Sequence, residues 1–109
     1  MKTISCMNID AELLHSFGGE TKEYKRGEII FREGDHALYY FQISEGKVKL
    51  NNYNDDGKEF IQNIFVKNQS FGDSMLFLEK FYPINAICLE SSKIIRVPKN
   101  VIFPKIRNA

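Results

Sequence analysis

Turn signals recur about every ten residues along most of this chain, which leaves room for short strands between them but not for alternating strand and helix units. Arg26-Gly27, Gly34-Asp35, Glu45-Gly46 and Asp55-Asp56-Gly57 mark these turns. Between them lie Ile29-Ile30-Phe31, the aromatic-rich run from Leu38 to Ser44, and the strictly alternating Lys47-Val48-Lys49-Leu50. The spacing predicts an antiparallel all-β sandwich or barrel. Its clearest hairpin joins Leu50–Tyr53 to Phe60–Ile64 through Asp56-Gly57, where glycine accepts the positive φ such turns demand.

The ends of the chain read differently. Asp10 is a good N-cap for a short helix over Ala11 to Phe17, with Leu13, Leu14 and Phe17 on one face and Gly18-Gly19 ending it. Ser74 to Lys80 holds good helix formers for two turns, and strand character returns over Asn85–Leu89 and Ile94–Val97. The last segment, from Pro98, starts like a helix but meets Pro104, which is expected to break it. We therefore expect one domain over 1–109: an N-terminal helical segment over 1–23, a β-roll over 24–97, and the start of a C-terminal helix over 98–109.

With 109 residues, 43% hydrophobic and 27% charged, the composition suits one folded unit. Fifteen Lys and Arg against fourteen Asp and Glu leave a net charge of +1, too little for a field that draws in nucleic acid or an anionic membrane. Cys6 and Cys88 form no CxxC pair or disulfide framework, and both fit a reducing interior. The first residues do not resemble a signal peptide, and no apolar run approaches the ~20 residues that a bilayer requires. The expected location is cytoplasmic.

Two strings carry a family resemblance. Lys25 to Asp35 (KRGEIIFREGD) and Tyr40 to Leu50 (YFQISEGKVKL), with glycines at 27, 34 and 46, resemble the first half of a cyclic-nucleotide-binding domain of the Crp/Fnr type. Phe71-Gly72-Asp73 falls where that family places Phe-Gly-Glu, so the resemblance runs from about Tyr24 to Val97. It implies a mainly β fold, an antiparallel double-stranded β-helix or jelly-roll-like β-roll flanked by short helices. It also implies a phosphate-binding cassette, in which N–H groups at the start of a short helix cradle a cyclic phosphate or other small anion while an Arg neutralises it.

The cassette maps onto Gly72, Asp73, Ser74 and Met75, with Asp73 in the position of the ribose-binding Glu, and onto Ile84, Asn85 and Ala86. Where the family reads Pro-Arg-Ser/Thr-Ala, this chain reads Pro83-Ile84-Asn85-Ala86, and the loop from Gly72 is slightly longer. Ile84 cannot neutralise a phosphate, which argues against binding cyclic AMP in the usual manner. The resemblance further implies an unidentified small-molecule effector, a homodimer in the parent protein, and DNA binding only through a C-terminal helix-turn-helix domain absent from these residues.

Other constellations are weaker. His15 and His36 are the only histidines and lack partners at metal-ligand spacing, and a single Cys6 cannot supply an iron–sulfur cluster. Glu33/Asp35 and Asp55/Asp56 lie in turns, where carboxylates cap the backbone, and no nucleophile–base motif is visible, so no catalytic residues are expected. The abundant aromatics read mostly as core, with Phe77, Leu78, Phe81 and Tyr82 open to a docking role. Two alternatives remain: an interaction module whose pocket is filled by side chains such as Ile84 and Met75, and a cupin-like metal enzyme, which would need clustered His and Glu ligands.

Overall fold

The computed structural model describes residues 9–78 and 80–107. Helix α1 (Ala11–Ser16) is capped by Asp10, whose Oδ1 accepts the Glu12 N–H at 2.7 Å. There follow β1 (Glu20–Tyr24), β2 (Ile29–Phe31), β3 (Tyr39–Glu45), β4 (Lys47–Tyr53), β5 (Glu59–Val66) and β6 (Ser70–Phe71). Then come α2 (Asp73–Leu78), β7 (Asn85–Cys88), β8 (Ser92–Pro98) and α3 (Lys99–Arg107).

The strands form two four-stranded antiparallel sheets, ordered β1-β8-β3-β6 and β2-β7-β4-β5. This is the expected β-roll. The two sheets differ in how they are covered. In β3, Tyr40, Phe41, Gln42 and Ile43 are all buried, and in β8 so are Ile94 and Ile95, because α1 and α3 pack on the same sheet through the fully buried Leu14 and Ile102. A strand buried on both faces loses polar alternation. On the other sheet Val48 and Phe65 face the core, while Ile61, Ile64 and Val66 stay 43–52% exposed.

Gly46 closes the β3–β4 turn at φ +109°, and an added Cβ there would collide with Ser92, whose Oγ accepts the Lys47 N–H. Two expectations are corrected. The roll starts at Glu20 rather than Tyr24: β1 is an edge strand whose Thr21, Lys22 and Glu23 are exposed, so pairing with β8 makes it a strand without any apolar pattern. Nor does Pro104 end α3, which continues to Arg107. Proline removes the bond to the Asn100 carbonyl, but both residues are exposed to water, and buried Ile102 anchors the helix. Among the aromatics, Phe60 and Phe81 are about half exposed rather than core, and Phe77 is half-buried against Phe103 at 5.5 Å.

Candidate ligand site

Strand β6 delivers the chain to Gly72, whose φ of +78° turns it into α2. A Cβ at Gly72 would lie 3.1 Å from Tyr82 Cε1 and 3.2 Å from the Phe31 ring, so glycine lets both rings come up against the backbone. Phe31 also pairs across the sheet with Ala86. It thereby joins the two halves of the sequence-predicted cassette. Ser74 is the second residue of α2.

In these halves the side chains of Asp73 and Ala86 are turned inward. Asp73 is fully buried, and its Oδ2 accepts the Ser70 hydroxyl at 2.6 Å. Met75 and Ile84 are half-buried and pack against the core, and Ala86 is fully buried opposite Leu50. Asn85 Nδ2 donates to the Asn51 carbonyl at 3.3 Å and to Asn51 Oδ1 at 3.2 Å, while its Oδ1 accepts the Glu33 N–H at 2.8 Å. That amide ties the β2–β3 loop to β4 and has no donor left over for a ligand.

Sequence reasoning left outside the cassette two residues that dominate this region. Tyr82 is buried and stacks on Phe31 with ring centroids 3.6 Å apart and planes 6° from parallel. Its hydroxyl is buried and finds no hydrogen-bond partner among the described residues. Burial, followed by the charges of Asp73 and Asp35, pushes the phenol well above its ordinary pKa. Asn51 is the other: it is fully buried and also donates to Glu59. An Asn closing the alternating run of β4 was the available signal.

Beside the cassette a cavity of about 330 Å³ is lined by Phe31, Asp35, His36, Leu38, Tyr39, Phe41 and Tyr82. A larger crevice of about 540 Å³ lies among Glu23, Lys25, Glu28, Glu45 and Lys93 and shares no residue with the cassette. Both histidines are exposed: His36 lies 4.2 Å from the Phe81 ring, and His15 bonds Gly19 and Thr21. Among the described residues no three His, Cys, Asp or Glu side chains could hold a metal. Cys88 is buried in the core, with its thiol pushed up mainly by desolvation, and Cys6 lies outside the described residues.

The model of the cyclic nucleotide-binding domain matches residues 21–108. The chain belongs to this family. The domain is 26% identical over 104 residues to the transcriptional activator FnrA of Stutzerimonas stutzeri, covering 90% of this chain and 42% of that protein. To the activator Anr of Pseudomonas aeruginosa it is 28% identical over 89 residues, covering 82% and 36%. It therefore spans less than half the length of these relatives.

Solved structures share the fold. A transcriptional regulator of Thermotoga maritima superposes with a TM-score of 0.82 at 24% identity, over 93% of this chain and 78% of that one. The sensor domain of the regulator DNR from Pseudomonas aeruginosa gives 0.77 at 23%, over 88% and 63%. The cyclic nucleotide-binding domain described here thus has the fold of these regulators' domains. No helix among its described residues is long and apolar enough to cross a membrane.

Proposed function

We propose that this domain is the non-catalytic, signal-receiving part of a cytoplasmic Crp/Fnr-type transcription regulator, and that its cassette does not hold a cyclic nucleotide in the usual way. The parent protein would bind DNA through a separate helix-turn-helix domain and act as a homodimer, as the Crp/Fnr resemblance implies, and the relatives FnrA and Anr are transcriptional activators.

The observation that carries the reading is the inward commitment of Asp73 and Ile84. A cyclic phosphate entering beside Gly72 meets an apolar side chain where a guanidinium would neutralise it, and a buried carboxylate nearby. Asn85 is spent on Asn51 and Glu33, so not even a neutral donor replaces the cation. An anion desolvated without a counter-charge costs several kcal/mol. α2 has only six residues, so its terminal N–H groups are weak compensation.

Isothermal titration of the chain with cyclic AMP tests this directly. No heat of binding is expected at about 100 μM ligand, and a Kd in the low micromolar range would overturn the reading. A second reading has its own support: Met75 and Ile84 pack against the core, as the side chains of an interaction module with a filled pocket would. A thermal-shift screen of small molecules separates the two, because a sensor's effector raises the melting temperature and a filled module has none.

A further inference from the structure

β5 is the outermost strand of the sheet β2-β7-β4-β5 and its most exposed apolar segment. Phe60, Ile61, Ile64 and Val66 are 43–52% exposed, and no charge or proline falls between Phe60 and Val66. An unpaired apolar edge of this kind is a template for another strand. Two side chains already occupy it. The Ile64 N–H donates to Asn63 Oδ1 at 2.9 Å and the Val66 N–H to Gln69 Oε1 at 2.8 Å, while the Val66 carbonyl accepts the Gln69 N–H at 3.0 Å.

Gln69 thus makes with Val66 the reciprocal pair of bonds that a neighbouring strand residue would make. Because both polar groups of Val66 turn to Gln69, they point away from β4. Ile64, two residues back on the same strand, shares that orientation. Gln62 is left over at the irregularity opposite Leu50 and Asn51, so regular pairing with β4 runs from Asn63 to Val66.

We propose that Asn63 and Gln69 are edge guards, and that the occupant they exclude is a second copy of this chain. Two β5 strands related by a two-fold axis at Phe65 would set Ile64 opposite the partner copy's Val66, twice. Each pair would exchange two backbone hydrogen bonds, the Val66 carbonyl accepting with its second lone pair beside the Gln69 N–H, and cover an apolar side chain with another. The donors required are the N–H groups of Ile64 and Val66, both taken by the side-chain amides. The pairing surface is self-complementary and is held shut from within.

The test replaces the guards with apolar residues of similar size, Asn63→Leu and Gln69→Met together, and measures self-association by sedimentation equilibrium. The association constant is expected to rise at least about tenfold over the unaltered chain, and adding Ile64→Lys to the pair should abolish the gain. An unchanged constant in a variant with native circular dichroism overturns the proposal. Should the variant not fold, hydrogen exchange on the unaltered chain decides: slow exchange at the Ile64 and Val66 amides is expected from their side-chain bonds. Free exchange at both refutes it.

Discussion

Tyr82→Phe removes one oxygen from the centre of the site and isolates a single physical effect. The ring stack on Phe31 and the contact with Gly72 are carbon contacts, so phenylalanine keeps both. What disappears is a hydroxyl buried without a partner among the described residues. Leaving such a group unsatisfied costs about 1–3 kcal/mol, and part of this is recovered when it is deleted. We expect a stabilisation of about 1 kcal/mol, seen as a higher urea midpoint at unchanged slope and a melting temperature raised by roughly 4–8 °C for a domain of this size. Tyr82→Ala, which loses the stack as well, should cost about 3–5 kcal/mol. If Tyr82→Phe destabilises the chain by more than about 0.5 kcal/mol, the hydroxyl has a partner and the account of a closed but imperfectly satisfied cassette is wrong.

Ile84→Arg should not confer cyclic AMP binding by calorimetry, and should lower stability by roughly 1–3 kcal/mol because a charge replaces an apolar contact with the core. Gly46→Ala should cost more than about 3 kcal/mol in a denaturation experiment, since it combines a positive φ with a collision at Ser92. Hydrogen bonds from Lys49 and then Asn51 hold the Glu59 carboxyl below its ordinary pKa, so its contribution exists above the unfolded-state pKa and fades as pH falls through the lowered one. Glu59→Gln should therefore be less stable than the unaltered chain at neutral pH, with the gap closing in acid. In a Cys6→Ser background, Cys88 should react with a thiol reagent only as fast as the protein opens, whereas rapid labelling of the folded chain would contradict its burial.

The strands legible in the sequence are those whose local pattern agrees with their surroundings. The β4–β5 hairpin follows from alternation in β4 and a glycine turn, although β5 buries only Phe65 and leaves Phe60 to Ile64 in water. β1 was illegible because it is fixed by five cross-strand pairs to β8, about seventy residues away, with only Tyr24 of its side chains entering the core. β3 and β8 carry apolar residues on both faces because helices from the two ends of the chain return to cover them. Pro104 obeys a rule about isolated helices that two exposed positions allow this one to break.

The cassette divides along the same line between local and non-local causes. Its positions were readable, since Gly72-Asp73 and Pro83 to Ala86 are contiguous strings. The direction each side chain takes was not. Asp73 is turned inward by a hydroxyl three residues earlier, whereas Asn85 is captured by groups 34 and 52 residues away. Asp73 could read as a shortened ribose ligand only while Ser70 was taken for an ordinary strand residue. Once the Ser70 bond is in place, one acid in the family's position no longer implies the family's contact. A site inherited from a fold has to be judged by where its polar groups are already committed, and here Asp73 and Asn85 both hold hydrogen bonds within the protein.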